Sequence, residues 1–316
     1  MTKIIAEIGT NHEGSLDLAC EMIERFAEAG ADIVKFQAFV VEDMIPKDAP
    51  YYERMRQLEV KESWYPVLIK TAERAGVEFL STATSFRSLA WMEAAGAKMY
   101  KVASGNATHY PILDRQIEIG KPVILSLGLL DLGEIVELVD YFKKRDFKEL
   151  SLLHCHVAYP TPPERANLGN IVLLQELFED LTIGYSDHTL SLTAPAVAVA
   201  LGARIVEKHV YLKKGNLGMD YDAAISLDGF REMVARIREC EAMTGRDFAI
   251  DPDVKFAYRR SFHAARTIER GEVLSWENIK ISRPMNGIEP RHYREVLGQK
   301  AVRRIEAEAP IRWEDL

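Results

Sequence analysis

His188 follows one β-branched run, 181–186, and His209 closes another, 204–209, so a single strand-and-helix unit separates them and adjacent strands would make them neighbours. Neutral imidazoles on adjacent strand ends can share one divalent ion, leaving its other positions to water or substrate oxygens. A histidine pair hydrogen-bonded to nearby carboxylates such as Asp187 and Glu207 would have the same spacing, and the residues alone leave both arrangements open. Lys35 and Lys101 close two earlier runs. An ammonium is costly to bury unpaired, so two lysines facing one cavity call for a bound anion or for carboxylate partners. A phosphate together with a carboxylate meets that demand, with Thr82, Ser104, Ser126 and Ser186 supplying neutral donors. Pairing of the lysines with Glu7 and Glu207 in a structural network is the other arrangement.

The elements that must position these residues are short β-branched runs at 3–8, 32–37, 77–82, 99–104, 122–127, 150–155, 181–186 and 204–209. Segments of helical period lie between and after them, at 16–29, 65–75, 132–144, 194–200 and 229–244. Eight strand-then-helix units in succession predict an α/β fold, the (β/α)8 or TIM barrel. Barrel chemistry gathers where strands end, and the polar strand ends here are Glu7, Lys35 with Gln37, Ser81 with Thr82, Lys101 with Ser104, Ser126, His154 with His156, Ser186 to His188, and Glu207 to His209. All are expected at one mouth. Ser186, Asp187 and His188 are the residue types of a hydrolytic triad, but neighbours on one strand cannot pass a proton along a line. No P-loop and no GxGxxG fingerprint is present, so nucleotide binding has no support.

Composition narrows the class further. The 316 residues are 47% hydrophobic and 28% charged, enough for one large domain and a small one. A net charge of -8 disfavours nucleic acid and anionic membrane as partners, so an anionic ligand must meet local positive charge. No signal peptide and no membrane-spanning run is visible, and Cys20, Cys155 and Cys240 lack metal or disulfide spacing; reduced thiols and a cytoplasmic location are expected. After the barrel, 1–245, a charged Pro-containing stretch at 246–258 reads as a linker, and 259–316 as a second domain. That tail contains an echo: Arg266, Ile268, Leu274, Trp276, Glu277 and Ile279 are answered by Arg303, Ile305, Ile311, Trp313, Glu314 and Leu316. Two such half-copies predict a pseudo-symmetric unit whose halves pack on each other.

The segments AEIGTNHEGS (6–15), KFQAF (35–39), FLST (79–82), KVAS (101–104), GKPVILS (120–126), LLHC (152–155), YPTP (159–162), GYSDHT (184–189) and LGARIVEKH (201–209) together resemble the sialic acid synthase family, including legionaminic and pseudaminic acid synthases. The likeness spans nearly the whole chain. The tail, with Arg283-Pro284, is similar to that family's antifreeze-like (SAF, β-clip) domain. The resemblance implies a PEP-dependent transferase that condenses phosphoenolpyruvate with an aldose to give a nine-carbon 2-keto-3-deoxy sugar acid and phosphate. It implies Mn2+ or Mg2+ on His188 and His209, and phosphoenolpyruvate on Lys35, Thr82, Lys101, Ser104, Ser126 and Ser186. It places the acceptor aldehyde against Glu7, Tyr159, Asp220 and position 106, with Arg283 reaching in from the partner of a homodimer with swapped C-terminal domains. Glu7, Lys35, Lys101 and Asp220 are its expected catalytic residues.

Departures from the family pattern concentrate on the acceptor side. A carboxylate two residues after KIAS is here Asn106, which cannot take a proton, and STPF, STGM and GPDH become 81–84 STAT, 126–129 SLGL and 218–221 GMDY; Val157 replaces a polar residue. An unusual acceptor rather than N-acetylmannosamine is therefore expected. A pyruvate-dependent metal aldolase, and a catalytically silent paralogue that still binds phosphoenolpyruvate or sugar, are the alternatives.

Overall fold

The computed structural model describes residues 1–245 and 247–316; Arg246, the first residue of the expected linker, lies outside the described residues. The chain forms two compact units, Met1–Gly245 and the remainder.

In the first unit eight parallel strands close on themselves: β1 (Lys3–Gly9), β2 (Ile33–Ala38), β3 (Glu78–Ala83), β4 (Tyr100–Val102), β5 (Val123–Ser126), β6 (Leu150–Cys155), β7 (Thr182–Asp187) and β8 (Ile205–Tyr211). Each pairs with the next, and β8 returns to pair with β1, Glu7 lying opposite His209. This is a TIM barrel, with a short strand Ile225–Ser226 added beside β8. Local signals set the helices between strands. Ser15 caps Leu16–Glu28 by accepting the Leu18 N–H, and Asp131 with Glu134 forms a capping box at the start of Leu132–Lys143. Gly76 and Gly120 end their helices in the left-handed conformation that suits glycine.

Side chains alternate along each strand between the barrel axis and the helical layer. Ile5, Ile33, Leu80, Ile124, Leu153 and Ile205 form an apolar plug on the axis, distinct from the two larger clusters packed between strands and helices. Gly184 sits in this plug because a Cβ there would lie 2.5 Å from the Ile205 carbonyl oxygen and 2.6 Å from Leu153. Two residues further along each strand the inward positions are Glu7, Lys35, Thr82, Lys101, Ser126, Cys155, Ser186 and Glu207, every one buried. A wholly polar layer thus rests on an apolar one. No helix among the described residues is long and apolar enough to cross a membrane.

The second unit holds a helix, Pro252–Tyr258, inside the stretch expected as linker, and an antiparallel pair, Ser261–Ala264 with Ile279–Ser282. Its core includes Phe262, Ile268, Leu274, Ile279, Ile288, Ile305 and Ile311. The sequence echo has a direct counterpart, since Ile268 and Ile305 bridge each other and the apolar members of both copies share that core. Trp276 and Trp313 remain about half exposed in both copies.

Candidate active site

The polar layer opens into a cavity of about 290 Å³ at the C-terminal end of the strands. Its lining includes Glu7, Lys35, Thr82, Lys101, Ser104, Asn106, Ser126, Tyr159, Ser186, His188, His209 and Asp220. The structure therefore brings together every expected site residue of the barrel. Arg283 belongs to the C-terminal unit, where its guanidinium lies 5.1 Å from the centre of the Tyr258 ring.

The two lysines differ in their surroundings. Lys35 Nζ lies 3.0 Å from Glu7 and 3.1 Å from Glu207, the carboxylate pairing that the residue types left open. Burial works against its charge, but Glu207 and Glu7 outweigh it and hold the ammonium above the ordinary lysine range. Lys101 Nζ donates to Ser126 Oγ at 2.6 Å and to the Val102 carbonyl at 2.9 Å. No carboxylate pairs with it among the described residues. Burial is the main cause that brings its ammonium down to about 8, with Lys35 adding repulsion and Glu207 opposing. Glu7 is pushed up to about 7, chiefly by burial and further by Glu207, against the pull of Lys35. Glu207 goes the other way: burial resists ionisation, but Lys35, Lys101 and His209 overcome it and hold it ionised. Two carboxylates about one lysine are thereby driven apart, one poised near neutrality and one fixed as an anion.

Hydroxyls complete the layer. Ser104 follows β4 in a short turn, Ser104–Asn106, and its Oγ accepts the Gly128 N–H at 3.0 Å; Ser186 Oγ donates to Glu207 at 3.3 Å. Asn106 ends that turn and lines the cavity with an amide.

One step further out, His188 and His209 stand with ring centres 5.4 Å apart, and Tyr159 packs on His188 at 4.1 Å. His188 Nδ1 is 2.9 Å from the His156 carbonyl, which can only accept, so the proton resides on Nδ1 and Nε2 keeps its lone pair. Burial, reinforced by His209, lowers His188 to about 4, and burial lowers His209 as well. Both rings are neutral, the state a metal requires. His209 Nδ1 is buried with no hydrogen-bond partner, and Asp220 Oδ2 lies 3.9 Å from it. Among the described residues no group of three or more His, Cys, Asp or Glu is arranged to hold a metal ion. Two imidazoles near enough to reach one ion at about 2.1 Å each, with the remaining positions open, fit a divalent ion that also binds water or substrate oxygen.

Four strand-end residues expected at this mouth face elsewhere, because alternation turns them to the helical layer. Ser81 Oγ donates to the Phe36 carbonyl, and His154 Nε2 bonds the Ala166 carbonyl at 2.8 Å. Asp187 and Lys208 form a fully buried ion pair at 2.7 Å. Conversely, sequence reasoning passes over Cys155, whose inward place follows from Leu153 by the same alternation, and over Phe39, Met44, Met55 and Thr84, which line the cavity from beyond the strands. For these residues beyond the strands, in loops and short helices of four to six residues, no periodic signal exists.

The first unit is thus a closed (β/α)8 barrel with buried lysines and paired imidazoles at its C-terminal mouth, and a small second unit follows it in the chain. A family model described as NeuB family matches residues 22–248, and one described as SAF domain matches residues 259–316. The chain belongs to the NeuB family. It is 40% identical to an uncharacterized protein of Methanocaldococcus jannaschii, over 100% of this chain and 94% of that one. It is 35% identical to N,N'-diacetyllegionaminic acid synthase of Campylobacter jejuni, over 98% and 99% of the two chains. Among solved structures, N-acetylneuraminic acid synthetase from Leptospira borgpetersenii in complex with citrate matches with a TM-score of 0.76 at 29% identity, covering 80% of this chain and 89% of that one.

Proposed function

We propose that this chain is a sugar-acid synthase that condenses phosphoenolpyruvate with an open-chain aldose, releasing phosphate. The observation that carries this reading is Lys101, a buried ammonium with no carboxylate partner among the described residues, which donates to Ser126 and lines the same cavity as two neutral imidazoles. The relatives named as synthases of legionaminic and N-acetylneuraminic acids support it.

Lys35 and Lys101 take the phosphate and carboxylate of phosphoenolpyruvate, with Thr82, Ser104, Ser126 and Ser186 as neutral donors. Holding this anion beside the acceptor converts a two-body encounter into a positioned reaction. His188 and His209 would hold Mn2+ or Mg2+, which supplies Lewis-acid polarisation of the acceptor carbonyl when bound. The C3 carbon of phosphoenolpyruvate forms a bond to the aldehyde carbon, and water adds to C2. The C–O bond to phosphate then breaks, leaving the 2-keto group. Glu7, poised near neutrality and held by Lys35, takes one proton of the added water and passes it to the former aldehyde oxygen, which ends as a hydroxyl; the remaining C2 hydroxyl proton leaves with the phosphate as the C–O bond breaks. Asp220 and Tyr159 flank the acceptor.

The acceptor side supports an unusual aldose. Phe39, Met44, Met55, Leu129 and Val157 present apolar surface there, and Asn106 offers an amide rather than a carboxylate. Such a wall favours acyl or deoxy substituents over bare hydroxyls. We assign Arg283 to the acceptor from the partner subunit of a homodimer with exchanged C-terminal domains.

The test is phosphate release from phosphoenolpyruvate with a panel of aldoses in Mn2+ or Mg2+, with product masses determined. Release with a hexose carrying acyl or deoxy groups beyond the single N-acetyl of N-acetylmannosamine, exceeding that with N-acetylmannosamine itself, is expected. Turnover of pyruvate in place of phosphoenolpyruvate would make the chain an aldolase, and phosphoenolpyruvate binding without product from any aldose would make it a silent binding protein.

A further inference from the structure

The turn at 10–13 that follows β1 grips the loop that follows β8. Glu13 aims its carboxylate at that loop and accepts the N–H groups of Asn216 at 2.9 Å, Leu217 at 2.9 Å and Gly218 at 2.5 Å, together with the Tyr221 hydroxyl at 2.7 Å. Arg54, on the helix Tyr52–Gln57, takes the complementary groups. Its Nε donates to the Leu217 carbonyl and its Nη2 to the Gly218 carbonyl, both at 2.8 Å. One short stretch of irregular backbone therefore has its donors on an anion and its acceptors on a cation. The fit is close: a Cβ on Gly215 would lie 2.2 Å from the Glu13 carboxyl carbon.

The same turn extends the grip to the cavity. Thr10 Oγ accepts the Met219 N–H at 3.0 Å and donates to Asp220 Oδ2 at 3.1 Å, and that oxygen faces His209 Nδ1 at 3.9 Å. The helix bearing Arg54 sends Met55 into the same cavity. Ordering an irregular loop costs conformational entropy, and charge-assisted hydrogen bonds to its peptide groups are among the strongest means of offsetting it.

We propose that Glu13 and Arg54 are positioning residues, an opposed-charge bracket on the peptide groups at 216–218 that fixes Asp220 against His209 and ties it to the Met55 side of the acceptor wall. The proposal rests on the synthase reading of this cavity. Neither residue touches the reacting atoms; both act through Asp220.

The full-length variants Glu13→Gln and Arg54→Gln test it, the second guarding against a folding defect in the first. Hydrogen exchange of the amides at 214–221 should accelerate in both variants while the barrel strands stay protected. Calorimetric titration with Mn2+ should show weaker binding, because the Asp220 carboxylate is no longer held beside His209. In phosphate-release kinetics, kcat/KM for the acceptor should fall about tenfold, as for other groups that orient a metal ligand, with KM for phosphoenolpyruvate unchanged. The loss should vanish in an Asp220→Asn background. Unchanged loop exchange in both variants would remove the bracket, and a full loss persisting in the Asp220→Asn background would remove its action through Asp220. If the unmodified protein releases no phosphate with any aldose, the functional reading falls, and hydrogen exchange with Mn2+ titration still decides the bracket.

Discussion

The lysine-lined end of the cavity, proposed to hold the anion, and its apolar end, proposed to take the acceptor, are built by different means. Lys35, Thr82, Lys101, Ser126, Ser186 and Glu207 project from strands whose register is fixed around a closed ring, whereas Phe39, Met44, Met55, Leu129 and Val157 come from segments beyond the strands. A change at the first end meets hydrogen-bonded neighbours on both sides and an apolar plug below. At the second end, side chains can be exchanged without disturbing the barrel. One end can therefore be kept while the other is altered to suit a new substrate, which is the distribution of departures that the sequence displays.

Substitutions at the two ends should separate this way. The largest effect is expected for His188→Ala, which removes one of two proposed metal ligands: metal-dependent phosphate release should fall by about 10³-fold or more while circular dichroism and melting stay close to those of the parent. Retained turnover in that variant would break the assignment. Next is Lys101→Met, which deletes an ammonium from the proposed anion site; phosphoenolpyruvate binding measured by calorimetry should weaken about 10- to 100-fold, the usual worth of a charged hydrogen bond. The same lysine gives a pH test. Its ammonium is lost as pH rises through about 8, so phosphoenolpyruvate affinity should be highest below that value and decline above it, by up to about tenfold per pH unit. Affinity that is flat from pH 7 to 9.5 would contradict a charged Lys101 in binding. Smaller again is Asn106→Glu, which places a carboxylate at the proposed acceptor end and should move the preference toward N-acetylmannosamine with phosphoenolpyruvate KM unchanged. Lys208→Met is the contrast within β8: it strips the buried Asp187 of its partner and should cost about 3 kcal/mol of stability in urea unfolding with little change in turnover.

The eight-strand count, the two imidazoles and the lysines were legible because each depends on local pattern: β-branched runs, helical period and polar strand ends. What separates Glu207 and His209 from Lys208 is the direction of one strand's alternation, and the apolar Ile205 two positions earlier would have indicated it. The same count from Leu153 places Cys155 inward and His154 outward. The pairing of Lys35 was not decidable from residue types, since it depends on β1, β2 and β8 meeting at one height. Met44 and Met55 lay beyond inference for a different reason, because the short helices that carry them are placed by long-range contacts such as Arg54 with the 217–218 carbonyls.

Glu7 stands on the first strand and His209 on the last, and they meet only along the seam where the ring shuts. Synthesis delivers one early and the other after most of the barrel has been made. An emerging polypeptide therefore cannot bring these two side chains together until the eighth strand docks, so the cavity is complete only when the ring is.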